Sequence, residues 1–287
     1  MSITGRIIQS HGKSFVVEVG ERRYIATARG KKTAYAVGDL VDIDLINEEQ
    51  AVIEKVQPRT SLLYRSDEWR EKLIAANVTQ IAIVLAAVPS FYEELLSRCL
   101  VAAEDADIRA LIILNKCDLP ETAQARATLE PYRVLGYPML ELSATGDIAP
   151  LLPELANHTT VLVGQSGMGK STLVNALLPD AKVRTNDISL ALDSGKHTTT
   201  HATLYRLPQG GELIDSPGLQ EFGLGHLRGD RLLALFPEMR QYIGQCRFRD
   251  CRHEREPDCA LIAAAERGDV LPQRLQLLRK LRASCNT

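Results

Sequence analysis

Three rhythms of apolar and polar residues follow one another along this 287-residue chain. In residues 1–66 the apolar positions come in short β-rich runs, "SFVVEV", "RRYIATA", "LVDIDLI" and "AVIEKV", separated by glycine, charge and turn signals. With an opening run "TGRIIQ" they predict five strands, and five short strands in about 60 residues fit a small closed barrel of the OB-fold type. Pro58 opens a stretch, "QPRTSLLYRSDEW", that reads as a linker.

Between residues 67 and 228 the rhythm lengthens and alternates. "VTQIAIVLAAV" is apolar throughout, as a strand buried on both faces of a parallel sheet must be. "YEELLSRCLVAAEDA" has a helical pattern, "IRALIILNKCDL" is a strand running into a polar tip, "PETAQARATLEPYRVLG" is a helix and "PMLELSA" a strand. "TTVLVGQSGMGKSTLVNALL" reads as strand, glycine-rich loop and helix, and "GGELIDSPG" as a further strand with a polar tip. Polar tips at the C-terminal ends of parallel strands are where a doubly wound sheet holds its ligand. Residues 229–287 are mostly helical in pattern, with a cysteine/histidine cluster and a basic end, "PQRLQLLRKLR". The expectation is a multi-domain chain: a β-barrel over 1–66, a central α/β domain over 67–228 and a mostly α, metal-binding domain over 229–287.

Composition narrows the class. Hydrophobic residues make up 45% and charged residues 24%, which suits a globular chain. No run approaches the roughly 18 apolar residues of a membrane span, and "MSITGRIIQSHGKS" lacks a signal-peptide core, so a cytoplasmic protein without a membrane partner is expected; a monomer is expected as well, though no feature of the sequence sets it. Six cysteines are too few for a disulfide scaffold in a chain this long. Residues 1–66 carry ten Lys/Arg against eight Asp/Glu, and residues 240–287 carry ten against six, while the middle is acidic. Basic ends around an acidic centre point the ends toward a polyanion. "ERRYIATARGKK" gathers Arg22, Arg23, Arg29, Lys31 and Lys32 around Tyr24, a candidate RNA-binding face, with a solvated strand as the plain alternative.

The chemistry sits in four short motifs. Gly164, Gly169, Lys170 and Ser171 fit G-x-x-x-x-G-K-[ST] between a strand and a helix. In such a loop the backbone from Gly164 through Gln165, Ser166, Gly167, Met168 and Gly169 to Lys170, Ser171 and Thr172 turns its N–H groups onto phosphates, aided by the helix dipole. Lys170 would bridge the β- and γ-phosphates, and the Ser171 hydroxyl would ligate Mg²⁺. Asp215 at the next strand tip is the expected outer partner of that ion, and the Gly218 N–H could meet the γ-phosphate. In "GKHTTTH" a threonine should reach Mg²⁺ only when the γ-phosphate is present. Thr198, Thr199 and Thr200 qualify; Thr199 is preferred, and His197 is a candidate to orient water.

"NKCD" supplies Asn115, Lys116 and Asp118. A carboxylate there accepts from both N1–H and the exocyclic amine of guanine; adenine leaves it unpaired at a cost, so GTP is favoured over ATP. "LSA" brings Ser143 and Ala144, whose N–H could reach guanine O6. The base loop thus precedes the phosphate loop, an order that a parallel sheet tolerates, with the old termini joined through "TGDIAPLLPELANH". Near the end, Cys246, Cys251, His253 and Cys259 lie within fourteen residues, a closed four-ligand set for one structural Zn²⁺. Arg247, Arg249, Arg252 and Arg255 surround it and could face RNA phosphates.

Taken in their order, "NKCD", "GQSGMGKST", "GKHTTTH", "DSPG" and "CRFRDCRHEREPDC" resemble the circularly permuted GTPases of small ribosomal subunit biogenesis, the RsgA or YjeQ/EngC family. The resemblance spans essentially the whole chain. It implies an OB-fold, a permuted GTPase domain and a zinc domain. It also implies hydrolysis of GTP to GDP with Mg²⁺, stimulated by the small ribosomal subunit and its rRNA, late in subunit maturation. Gln220 departs from it, since arginine is common there, and Leu219 after D-x-x-G leaves no glutamine to position water. The segment after D-x-x-G runs into the zinc domain, so nucleotide state should set that domain's posture. An ATP-driven enzyme, or an RNA-binding module with a relic nucleotide site, are the competing readings.

Overall fold

A computed structural model describes residues 2–12, 14–30, 34–67, 70–179, 202–215, 222, 224, 226–229 and 231–285. Five strands come first: β1 (Ile3–His11), β2 (Ser14–Val19), β3 (Arg22–Ala28), β4 (Leu40–Leu45) and β5 (Gln50–Val56). They close into a barrel in the order β1-β2-β3-β5-β4, with β4 returning to β1 and β3–β5 the one parallel pair of the five. Alternation drives the closure, because every second side chain points inward. Phe15, Val17, Ala26, Val41, Ile43, Ala51 and Ile53 fill the interior. Tyr24 joins them, which corrects its placement on an outward basic face: the two-residue period turns its ring inward and leaves Ile25 57% exposed instead.

Residues after Pro58 are not a bare linker. β6 (Leu62–Asp67) and β7 (Arg70–Ala76) pair as an antiparallel hairpin. Its base is fixed to the barrel through polar groups that hydrophobic patterning does not register. The buried Asp39 carboxylate accepts from Arg59 at 2.6 and 2.8 Å, and Asn77 ties Thr60 to the Gly38 carbonyl.

The remaining strands are β8 (Gln80–Ala86), β9 (Arg109–Asn115), β10 (Met139–Glu141), β11 (Thr159–Val163), β12 (Thr203–Arg206) and β13 (Glu212–Asp215). Five run parallel in the spatial order β10-β9-β8-β11-β13, and β12 lies antiparallel to β13. Helices α1 (Glu93–Asp105), α2 (Thr122–Val134), a one-turn α3 (Leu152–Leu155) and α4 (Lys170–Leu177) accompany them. Alternate residues of β8 enter two separate cores. Ile81, Ile83 and Leu85 share one with Leu96 and Leu100 of α1, while Ala82, Val84 and Ala86 share the other with Leu173, Val174 and Leu177 of α4. This is why the strand reads as an unbroken apolar run. The stretch between β10 and β11 is sealed by Leu151 and Leu155 and by the wholly buried Gln80, which donates to the Glu154 carbonyl at 3.0 Å and accepts from Arg109 at 2.6 Å.

β12 also touches β1, at Gln9 opposite Thr203, so barrel and α/β sheet merge into eleven strands. Arg6–Glu212 and Arg206–Glu18, both at 2.6 Å, fasten the seam.

The C-terminal part begins with two short 3-10 helices, Leu232–Leu235 and Pro237–Tyr242, and ends with α5 (Ala260–Arg267) and α6 (Pro272–Cys285). It docks on α1 through that helix's acidic residues. Glu93 accepts from Gln273 (2.8 Å), Glu94 from Lys280 (2.6 Å), Glu104 from Arg240 (2.5 Å), and Asp105 meets His226 (2.9 Å). Behind them Arg274, with no exposed surface, pairs with buried Glu238 and lies 4.8 Å above the Phe236 ring. Among the described residues no helix is long and apolar enough to cross a membrane.

Candidate functional site

The loops that follow β9, β10 and β11 converge on one hollow. β11 passes into Gly164, where φ is +152° and a Cβ would stand 2.2 Å from the Val84 carbonyl oxygen, so the loop leaves the strand pressed against β8. Gly169 closes the loop with φ at +92° and caps α4. A Cβ there would lie 2.2 Å from Asn115 Nδ2, so the phosphate loop and the base loop meet at a point that admits only glycine. The Lys170 ammonium folds onto the loop, donating to the carbonyls of Gly164 and Gln165. Burial lowers its pKa, with Asp215 pulling the other way; burial raises that of Asp215, with Lys170 opposing. A phosphate bound to the loop would replace the two carbonyls as partners of Lys170.

Asn115 is 1% exposed and joins three loops. Its Nδ2 donates to the Met168 carbonyl at 2.8 Å, and its Oδ1 accepts the Ala144 N–H at 2.9 Å. The Ala144 amide considered for guanine O6 is therefore engaged by Asn115. Lys116 takes a left-handed backbone, φ +60°, and donates to the Val88 carbonyl at 2.8 Å. A hydrogen bond from the Ser143 hydroxyl, helped by Asp118's own backbone N–H and the charge of Lys116, holds the Asp118 carboxyl below its ordinary range, so it is an acceptor at neutral pH. A cavity of about 180 Å³ is lined by Asn115, Lys116, Asp118, Ser143, Ala144, Gly169 and Thr172, together with Leu119 and Thr145. Residues from three motifs far apart in the chain thus wall one hollow with a charged acceptor at its edge.

Some expected residues fall elsewhere. His197, Thr198, Thr199, Thr200 and Gly218 lie outside the described residues, as do Lys31 and Lys32. One contact was not foreseen: the Gln165 side chain accepts the Tyr92 N–H at 2.8 Å, tying the phosphate loop to the start of α1. The loop pattern leaves that position free, so spacing alone carries no mark of it.

The cysteine/histidine cluster forms a second centre. The ligand atoms of Cys246, Cys251, His253 and Cys259 all lie within 4.8 Å of one another. With zinc–sulfur bonds of about 2.3 Å and a zinc–nitrogen bond of about 2.0 Å, a tetrahedral ion sets its ligands about 3.8 Å apart sulfur to sulfur and about 3.5 Å sulfur to nitrogen. His253 Nδ1 stands 3.5, 3.5 and 3.4 Å from the sulfurs of Cys246, Cys251 and Cys259, and the Cys246 and Cys259 sulfurs are 3.9 Å apart. These four edges match a zinc tetrahedron with Nδ1 as the histidine ligand, so the cluster could hold such an ion. Its loop is held from outside. Arg279 donates to the His253 carbonyl and Arg282 to that of Cys251, both from α6. The Glu256 carboxylate accepts the N–H groups of Arg252, Glu254 and Arg255, and these bonds pull its pKa down to about 2. Glu256 was not foreseen, because a loop carboxylate among arginines reads as a solvated charge.

Comparison with known proteins agrees with this geometry. The sequence model of the RsgA GTPase family matches residues 56–225. The chain is 54% identical over 280 residues to the small ribosomal subunit biogenesis GTPase RsgA of Neisseria meningitidis serogroup C (strain 053442), covering 97% of this chain and 91% of the relative. It is 51% identical to the protein of that name from Nitrosospira multiformis, covering 99% and 92%. Among solved structures, YjeQ from Thermotoga maritima superposes with a TM-score of 0.77 at 28% identity, covering 100% of this chain and 99% of that one. YloQ, described as a circularly permuted GTPase, superposes with a TM-score of 0.72 at 28% identity, covering 100% and 96%.

Proposed function

The chain belongs to the RsgA GTPase family and is a GTP hydrolase, and on that premise we propose that it acts as a nucleotide-dependent switch in late maturation of the small ribosomal subunit. It works in the cytoplasm as a monomer, with the subunit and its rRNA as partners. The barrel (1–66) and the zinc domain (229–287) bind rRNA, and docking on the subunit stimulates hydrolysis in the GTPase domain (67–228). The observation that carries the reading is Asn115, whose one side chain holds the base loop, the Ala144 loop and the phosphate loop together.

The roles follow from the chemistry of the groups. Asp118 accepts from N1–H and the 2-amine of guanine, with Lys116 flanking the base. The N–H groups from Gly164 to Thr172 cradle the phosphates. Lys170 leaves its loop carbonyls for the β- and γ-phosphates and there offsets charge developing in the transition state. Ser171 and Thr199 hold Mg²⁺, with Asp215 behind them, Gly218 offers its N–H to the γ-phosphate, and His197 orients the attacking water. Zn²⁺ bound by Cys246, Cys251, His253 and Cys259 is structural, since all four tetrahedral positions come from protein. The segment after D-x-x-G carries the nucleotide state to the zinc domain.

One assay tests the core of this: hydrolysis of GTP and ATP, with and without purified small subunits. Turnover of GTP alone, raised by subunits, is expected; ATP turnover, or indifference to subunits, would sink the proposal. Asp118→Asn should exchange guanine for xanthine, whose 2-carbonyl accepts where guanine's amine donates.

A further inference from the structure

The seam between barrel and α/β sheet holds a groove that the nucleotide chemistry does not use. Its volume is about 250 Å³, and its walls come from both units: Gln9, Glu18 and Arg23 on the barrel side, Thr203, Tyr205 and Arg206 from β12. A bulge in β1 between Ile7 and Gln9 shapes its floor, which is lined by Ile8, itself buried in the same core cluster as Ile7.

The charges in the groove are unequal. Glu18, its side chain 11% exposed, is shared by two arginines: Arg206 approaches one oxygen at 2.6 Å and Arg23 the other at 3.5 Å. The two guanidiniums remain 68% and 59% exposed. Two positive charges against one negative leave a net positive charge at the rim. Each guanidinium has five N–H donors, and the contact with Glu18 occupies a fraction of them. A shared carboxylate that orients two forks while leaving donors outward is a frame for a phosphate group, whose oxygens accept such forks in pairs. Beside it on the outward face of β3 stands Ile25, 57% exposed, an apolar surface next to the charge. Outward guanidinium donors match the regularly spaced phosphates of a nucleotide chain, and Ile25 gives an apolar surface against which a base can lie.

We propose that Arg23 and Arg206, held by Glu18, form a phosphate clamp for single-stranded RNA across the barrel–sheet seam. This rests on the reading of the protein as an rRNA-binding factor and adds to it a site shared with the strand that follows the threonine run. Because one arginine belongs to the barrel and the other to β12, bound RNA pins the two units together.

The test uses the full-length protein and its Arg23→Ala/Arg206→Ala variant. Binding is measured to purified small subunits and to a fluorescent oligouridylate dodecamer, across a salt series. Loss of affinity of about tenfold, with the slope of log K against log salt reduced by about 1–2, is expected. Arg23→Lys/Arg206→Lys should keep the slope and recover part of the affinity. Unchanged GTP turnover without subunits shows that the variants fold. Equal affinity and slope for wild type and the alanine variant would overturn the clamp while leaving the wider reading intact. Failure of the wild type to bind subunits would overturn both. An equal loss of affinity for a polyglutamate dodecamer would reassign the groove to acidic peptides and overturn the RNA assignment.

Discussion

At the level of single residues, Asn115 concentrates the most consequence. Its amide satisfies the Met168 carbonyl and the Ala144 N–H at once, and the side chain is almost wholly buried. Asn115→Ala removes both partners, at about 1–3 kcal/mol for buried groups left unpaired. GDP binding, followed by fluorescence titration, should weaken roughly 5- to 150-fold, with ATP binding no better than before. Asn115 was legible in the sequence because the base-reading tetrapeptide fixes residue type and spacing together. The side-chain contacts of Gln165 and Glu256 were not. Their partners are backbone N–H groups of Tyr92 and of the zinc loop, and a contact between a side chain and distant or irregular backbone leaves no periodic trace.

Among the elements, α1 carries the part with the cysteine/histidine cluster on its acidic residues, while its start is tied to the glycine-rich loop through Tyr92 and Gln165. Its helical period was plain in the sequence; which residues its carboxylates would meet was not, since the partners come more than a hundred residues later. Two contacts there give opposite expectations. Lys280 holds the Glu94 carboxyl below its ordinary value of 4.5. A depressed carboxyl adds stability above its unfolded pKa and loses it as pH falls through the folded one. Wild type should therefore exceed Glu94→Gln in thermal stability at neutral pH, by about 0.5 kcal/mol or less for so exposed a pair. The gap should close below pH 4.5, as melting curves across pH would show. Glu238 is a different case, because Arg274 beneath it has no exposure at all. Glu238→Ala strands a buried charge and should cost about 3–5 kcal/mol in urea unfolding, whereas Glu238→Leu/Arg274→Leu should cost far less.

For the whole molecule, three units share one continuous framework of strands and ion pairs. The barrel and the permuted sheet were legible from alternation and from unbroken apolar runs. The β6–β7 hairpin escaped because its base is set by Asp39, Arg59 and Asn77 rather than by a hydrophobic face. The loop that carries Cys246, Cys251, His253 and Cys259 has no strand or helix of its own between Tyr242 and Ala260, so a metal ion on the proposed site would order it. Removing Zn²⁺ with a chelator should release amide protection across residues 246–285 while nucleotide binding persists, readable by hydrogen exchange and GDP titration. The spatial order of the strands also bears on synthesis. β8, β9 and β10, with α1 and α2 between them, precede the phosphate loop in the chain and are neighbours in the sheet. As the chain leaves the ribosome N-terminus first, the wall formed after β9 and β10, proposed to read the base, can pack before the glycine-rich loop has been translated. β11 then enters beside β8, and β13 completes the site from the far side. Nucleotide thus has no complete seat until well over two thirds of the chain exists, so GTP can act as a late staple of the newborn protein and not as a template for its folding.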